Sequence, residues 1–427
     1  MQTLLPQDSV FWQSNRNITK PCRENLNTNV VIIGGGMAGL AAAQAFNKKG
    51  QKVVLLEQYD CGGGATGKSS GFITPNAEIS FTDFSKRYNP EIAHQIWDFI
   101  TSGVNDVRDN IANYKLDCDY APQDTLILAN KPSDLKTLEI EYQNLAKFGY
   151  PTNFYTKHQL GNFINSKNYF GAVSYNQTFG VNGYLYCQEL KQKLISLGVQ
   201  VFEQTTVTKI DNHQVITPHA TITADYIVVC TDKFMPELDL LPQAIYHAQT
   251  FVMMSEELTQ KQLRSIFSDK NLLVWDCELV YNYFRVTPQN RLLLGGGSVA
   301  TTYTKNAIHD SEKIFKKLTN YFEGNFPGLN IQFKQMWPGL IGISKDIAPI
   351  AGRDQHKPYL YYVSASTGLP IAAALGRYSA ENLIDNNNSL DSYFSPYRKF
   401  LISGKLQSLL GNKLSFALCN AIKKNIP

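Results

Sequence analysis

The run from Asn29 to Gly50, NVVIIGGGMAGLAAAQAFNKKG, joins an apolar strand to an alanine-rich helix through a glycine turn. A second short apolar run, Lys52-Val-Val-Leu-Leu-Glu57, reads as a parallel strand covered on both faces. The two halves make a βαβ unit, and its turn spells Gly34-x-Gly36-x-x-Gly39. Gly34 permits the tight turn, Gly36 lets the backbone approach a pyrophosphate, and Gly39 lets helix and strand pack closely. The helix N-terminus adds partial positive charge. Glu57 ends the next strand about 20 residues on, where an acid accepts hydrogen bonds from ribose hydroxyls and disfavours a 2′-phosphate. On these residues alone, FAD, NAD or NADH fits the site.

A second glycine-rich stretch competes for a different ligand. Gly62 through Ser69 satisfies G-x-x-x-x-G-K-S, the phosphate loop of ATP-hydrolysing proteins. That motif needs its Gly-Lys-Ser to open a helix on which the phosphates rest. Here Ser-Gly-Phe-Ile-Thr-Pro75 follows Ser69, with a helix-weakening glycine, β-formers and a proline, so no helix starts there. The stretch reads instead as backbone running close to a flat, polyanionic cofactor.

The rest of the chain continues the α/β texture. Helical spacing recurs over 91–111, 135–148, 187–197, 311–322 and 371–384, and buried strands are expected at 199–202, 226–231 and 359–363. Between Leu241 and Leu294 the pattern turns β-rich and aromatic, which marks a second domain. With 427 residues, 43% of them apolar, two domains are the default. A net charge of +4 without a basic block gives no nucleic-acid arm. Seven scattered cysteines without a C-x-x-C pair indicate neither disulfides nor zinc, and no histidine pair has metal-ligand spacing. A reducing cytoplasm fits this cysteine usage. No apolar h-region and no run of about 18 apolar residues occurs, so neither secretion nor membrane spanning is expected.

Val30 to Leu40, Val54 to Gln58 and Gly64-Ala-Thr-Gly-Lys-Ser-Ser-Gly71 resemble the N-terminal third of the D-amino-acid oxidase superfamily of FAD-dependent oxidoreductases. In that family the loop usually reads G-A-S-G-R-N-x-G. Phe11-Trp12 ahead of the first strand is similar to the γ-glutamylputrescine oxidase branch. Further landmarks follow in order: Gly183-Tyr-Leu-Tyr186, Gly198-Val-Gln-Val201, Thr206-Val207, Ala224 to Thr231 with Pro236 beyond, Arg291 to Gly297, Trp337-Pro-Gly339, Asp346 to Gly352 and Thr367-Gly-Leu-Pro370. The resemblance implies an α/β fold: a Rossmann-like FAD-binding domain of the glutathione-reductase type, beside an α+β substrate domain on a mostly antiparallel sheet. The FAD domain would be discontinuous, over 1–90, 181–235 and 331–427, and the substrate domain would take 91–180 and 236–330.

The same resemblance implies noncovalent FAD, held by Met37, Ala38 and Gln58 beside the fingerprint residues, and by Ala65, Thr66, Gly67, Lys68, Ser69, Ser70 and Gly71. Val207, Cys230, Thr231, Gly339, Gly368, Leu369 and Pro370 complete the set. Lys68 stands where the family commonly has Arg, offering a cation near anionic groups. The cysteine that tethers flavin in sarcosine oxidases would fall near Gly339, and no histidine lies near the loop, the nearest being His94. The implied reaction removes a hydride from the carbon next to an amine to give an imine, with flavin N5 as acceptor. The flavin carries the redox chemistry, while the protein positions a neutral amine and excludes water.

Family members that oxidise amino acids hold the carboxylate with Arg or Lys, but the matching positions here are Ile341 and Ala372. An amine, or a differently anchored substrate, is therefore expected. Tyr184, Tyr283 and Arg285 are the substrate candidates, and Lys345, Tyr283 and Arg285 the catalytic ones. Leu293 occupies the position of an oxygen-activating lysine, which leaves oxygen and a quinone-linked acceptor both open. Pro370 replaces a glycine and removes one backbone N–H expected at the flavin.

From Leu401 to Ile422, leucines and alanines share one helical face and Lys405, Lys413 and Lys424 the other. Such a helix packs on the protein or lies on a membrane surface as a peripheral contact. Two alternatives to amine oxidation stay open: a tRNA-modifying FAD enzyme acting on an aminomethyl group, and a noncatalytic flavin-fold scaffold.

Overall fold

The computed structural model describes residues 10, 13, 17–75, 78–278, 280–298, 302–306 and 312–425. Phe11-Trp12 and Ser311 fall outside the described residues, as do the side chains after Ala421, Lys424 among them. The fold is α/β, built on two eight-stranded sheets and a small three-stranded one.

The first sheet grows around β1 (Leu26–Ile33), which pairs in parallel with β2 (Val53–Leu56) on one side and with the strand Thr221–Val229 on the other. Strand alternation sends Val30 and Ile32 into one apolar cluster and Val31 and Ile33 into another. Both faces of β1 are covered, which is why its sequence is continuously apolar. The strand Gln200–Phe202 extends the sheet beyond β2, and Leu360–Ser364 pairs with Thr221–Val229.

α1 (Met37–Lys48) leaves the glycine turn and packs its small residues against the helix Leu369–Asp385. The approach is close: a Cβ on Gly376 would stand 2.1 Å from the Ala38 carbonyl oxygen. The long helix Pro90–Tyr114 buries Ile96, Trp97, Ile100, Val104 and Val107 in the same cluster. It was expected with the substrate domain. In the structure it packs against the helices Leu369–Asp385 and Phe81–Arg87, and its Trp97 also meets Tyr175, with ring centroids 5.9 Å apart.

The second sheet runs in the order 333–344, 245–257, 291–296, 283–286, 273–276, 125–128, 171–175 and 152–156. Every pairing in it is antiparallel except that of Leu273–Asp276 with Thr125–Leu128. Phe333–Ser344 is hydrogen-bonded along Ile245–Glu257, so the expected boundary at residue 331 cuts off an edge strand of this sheet. The tail also departs from expectation. Instead of one helix, Gly404–Leu410 and Asn412–Asn425 are separated by Gly411, whose φ of 77° breaks the helical run.

Candidate active site

The fingerprint turn is fixed by close backbone approaches. Gly34 sits at φ 106°, and a Cβ there would lie 2.5 Å from the Cys230 carbonyl oxygen. A Cβ on Gly39 would stand 1.8 Å from the Gly34 carbonyl oxygen, so Gly39 serves helix–strand contact, as expected. Gly36 is the N-cap of α1 and brings no capping side chain, while the Met37 amide donates to Thr66 Oγ1 at 3.1 Å. Glu57 reaches back to the turn: Oε2 accepts from the Gly35 amide at 2.7 Å and Oε1 from the Tyr59 amide at 2.9 Å. Burial pushes the Glu57 carboxyl up, against the two amides that favour its charge.

The second glycine-rich stretch folds back onto this turn. The Gly62 amide donates to the Gly35 carbonyl at 3.0 Å, and the Gly67 amide to the Gly62 carbonyl at 2.9 Å. A single helical turn, α2 (Ala65–Lys68), ends at extended Ser69, and β3 (Phe72–Ile73) follows. Gly-Lys-Ser therefore closes a helix rather than opening one, which removes the ATP-loop geometry. Two residues of the second sheet's domain hold the loop's carbonyls. Trp337 Nε1 donates to Lys68 O at 3.0 Å, and Arg285 Nε donates to Ser70 O at 2.6 Å.

A cavity of about 1620 Å³ runs from this turn to the second sheet. Every residue expected to hold the cofactor lines it except Gly39 and Gly67, whose places are taken up by the backbone contacts just described. Thr74, Thr231, Ser366 and His247 also line this cavity, and each carries a buried polar atom without a hydrogen-bond partner among the described residues. A glycine turn that opens a helix, an acid at the end of the next strand and a large cavity lined by both fit FAD.

The substrate and catalytic candidates divide. Tyr283 lines the cavity, with its ring over Gly295 and its hydroxyl bonded to Thr250; burial pushes its pKa up to about 12. Arg285, two residues along the same strand, is fully buried and does not line it. Its Nη2 donates to Val181 O at 2.7 Å, and burial lowers its pKa to about 10. Tyr184 is also fully buried, donating its hydroxyl to Asp60 Oδ2 at 2.7 Å behind the loop. Lys345 points toward the tail, where Nζ donates to Ile402 O at 3.1 Å and stands over the Phe400 ring. Arg285, Tyr184 and Lys345 thus serve packing and anchoring, which corrects their expected placement at the substrate. Ile341 and Ala372 do line the cavity, and Leu293 is buried beside Trp337.

Sequence reasoning missed Lys233 and His247, which also line the cavity. Burial lowers the Lys233 pKa against the pull of Asp232, and burial together with Lys233 lowers that of His247. Neither carries a motif; Lys233 comes from the 3-10 helix Asp232–Leu238 and His247 from the strand Ile245–Glu257, so only the fold brings them to one cavity. Phe72, Trp275, Tyr281 and Glu78 were missed for the same reason.

The sequence model described as FAD dependent oxidoreductase (DAO) matches residues 29–382, and the chain belongs to that family. It is an FAD-dependent oxidoreductase. Among curated proteins it is 28% identical to the gamma-glutamylputrescine oxidoreductase of Escherichia coli (strain K12), over 87% of each chain. A probable oxidoreductase, OrdL, of Haemophilus influenzae is 25% identical over 87% of this chain and 86% of its own. Among solved structures, glycine oxidase from Geobacillus kaustophilus superposes with a TM-score of 0.74 at 18% identity, covering 88% of this chain and all of that one. L-proline dehydrogenase from P. horikoshii gives 0.75 at 17%, covering 88% and 98%. These structures share the fold.

Proposed function

We propose that the protein oxidises an amine at the carbon bearing the nitrogen, with noncovalently bound FAD as the electron acceptor. Bound FAD supplies a two-electron acceptor for the hydride. In the substrate the C–H bond breaks, its electron pair leaves with the hydride, and the nitrogen lone pair forms the C=N bond of an iminium that water hydrolyses. The chain's own task is to orient the substrate and exclude water. Thr250, Tyr283, Pro338 and Gly339 form the wall of the second sheet that would do so.

The observation that carries this reading is the pair Ile341 and Ala372. Both line the cavity at the positions where, by resemblance, relatives that act on amino acids place a carboxylate-binding cation. An apolar pair there leaves a carboxylate undercompensated and favours an amine. The gamma-glutamylputrescine oxidoreductase named above is consistent with such a substrate. Gly339 on the same wall supports noncovalent FAD, since by resemblance the flavin-tethering cysteine would fall near it and the neighbouring Pro338 and Leu340 are not cysteines. Reduction of the holoenzyme's flavin by amines under anaerobic conditions tests the reaction, and release of FAD on acid precipitation tests the noncovalent attachment.

The tail supports a peripheral contact with an anionic lipid surface, which would suit a quinone-linked acceptor. Leu401, Leu406, Leu409, Leu414 and Leu418 are exposed, Leu409 by 85%, with exposed Lys405 and Lys413 among them. Phe416 and Cys419 pack inward and hold the hairpin of helices on the protein. Leucines that no described residue covers, flanked by lysines, match a bilayer with anionic headgroups.

A further inference from the structure

We propose that Phe72, Trp275, Tyr281 and Tyr283, with Glu78, form a cation-binding cage in the cavity, so that the substrate carries a second, positively charged nitrogen besides the one oxidised. The inference rests on the amine reading and narrows its substrate class to diamines and their relatives.

All five residues line the cavity. Phe72 stacks on Trp275 with ring centroids 5.7 Å apart and meets Tyr283 edge-on at 5.9 Å. Tyr281 lies between Trp275 and Tyr283, at 6.3 Å and 5.8 Å. The four rings come from two separate stretches of chain. Phe72 belongs to β3 just after the cofactor loop, Trp275 and Tyr283 to adjacent antiparallel strands in direct register, and Tyr281 to the turn joining them. Gly295, opposite Tyr283 in the sheet, makes room for the ring, since a Cβ there would stand 2.2 Å from it. The Tyr281 hydroxyl donates to Glu78 Oε1 at 2.7 Å, which fixes the ring and brings a carboxylate to its edge.

Asp83, Asp134, Asp276 and Glu278 line the cavity as Glu78 does; Lys131 lines it 3.8 Å from Asp134, and Lys68, Lys233 and Lys305 line it as well. Thr74, a residue only 4% exposed, also lines the cavity, and its buried hydroxyl has no hydrogen-bond partner among the described residues. Aromatic faces with a carboxylate attract an ammonium through the ring quadrupole, most strongly when it is desolvated. A cation held there cannot be the reacting nitrogen, whose lone pair must be free to form the C=N bond. The charged group is therefore a second one, and cage and reacting centre share one elongated cavity.

The test separates the cage from the chemistry. FAD-loaded protein is titrated at constant ionic strength with tetramethylammonium chloride, which cannot be oxidised by hydride loss next to a free amine, and with the neutral isostere 2,2-dimethylpropan-1-ol. Flavin absorbance and tryptophan fluorescence report occupancy. The cage predicts saturable binding of the cation at least about tenfold tighter than the alcohol, weakened at least about fivefold by Glu78→Gln and about tenfold by Trp275→Leu. If Trp275→Leu fails to hold FAD, Tyr281→Phe, which keeps the ring but frees it from Glu78, is expected to weaken binding by a smaller factor. Equal binding of cation and alcohol, no saturable signal, or unchanged affinity in Glu78→Gln overturns the cage. A linear diamine should exceed the alkyl monoamine of equal length about tenfold in kcat/KM. Flavin reduction by monoamines without tetramethylammonium binding leaves amine oxidation standing and the cage refuted; tetramethylammonium binding without reduction by any amine does the reverse.

Discussion

Arg285 Nε donates to the carbonyl oxygen of Ser70 at 2.6 Å, joining a strand of the second sheet to the loop that borders the cofactor cavity. The same guanidinium holds Val181 O, and a Cβ on Gly71 would lie 1.8 Å from that oxygen. The loop's path is thus set by a buried cation from beneath together with its own Gly71, which sits at φ 73°. Arg285→Met should lower stability by about 3 kcal/mol, because two carbonyls lose a charged donor. FAD affinity should fall with it, while the relative kcat/KM values across an amine series stay constant. A changed order of substrate preference in Arg285→Met would return this residue to the substrate.

Gly36 and Lys68 separate two contributions to FAD binding. A Cβ on Gly36 meets only Thr66 Oγ1, at 3.3 Å, so the backbone tolerates a side chain but the cavity is filled by a large one. Gly36→Trp should fold with an unchanged far-ultraviolet circular dichroism spectrum and bind no FAD, read as lost absorbance of the flavin. Lys68→Ala keeps the carbonyl that Trp337 uses and removes only a cation, so the Kd for FAD should rise about tenfold. An unchanged Kd would assign Lys68 to the surface.

Asp346 anchors the tail to the body. Its carboxylate accepts from Arg398 Nη2 at 2.7 Å, from Ser344 Oγ at 2.9 Å and from Arg87. Burial alone would raise its pKa, but Arg398 and Arg87 outweigh burial and hold it well below the usual carboxylate range. A depressed folded-state pKa contributes stability that is present above the unfolded value and lost as pH falls through the folded one. Asp346→Asn should therefore cost about 3 kcal/mol at neutral pH. That deficit should begin to shrink below about pH 4, where the carboxyl takes up a proton in the unfolded wild-type chain while staying ionised in the folded one. Chemical denaturation of both proteins across that range checks it; a deficit constant down to pH 3 would mean the charge is not what matters.

The exposed leucines make a separate prediction about location. Sedimentation with vesicles containing phosphatidylglycerol should retain the protein. Leu406→Glu, Leu409→Glu and Leu418→Glu together should release it, since each leucine is worth about 1.5–3 kcal/mol when fully buried. Flavin reduction by amines in solution should not change. Wild-type protein that ignores such vesicles would refute the lipid contact.

The cofactor half was legible in the sequence because its constraints are local. Gly39 and Glu57 each meet a neighbour within one βαβ unit, and Gly34 takes the positive φ of the turn between strand and helix, so spacing alone reveals them. The substrate half was not. Tyr283 and Arg285 share one face of a strand, yet one lines the cavity and the other lies under Ser70, because the cofactor loop covers only part of that face. Tyr184 and Lys345 failed likewise: a helix start and a strand end do not reveal that Asp60 and Ile402 wait behind them. Gly411 was a local signal that should have divided the tail helix.

Anaerobic mixing of the purified yellow holoenzyme with a panel of amines and amino acids tests the central claim most directly. Amines should bleach the flavin, with amino acids slower by at least about tenfold for want of a carboxylate partner at Ile341 and Ala372. A flavin that no amine reduces, or that amino acids reduce faster, would contradict the account.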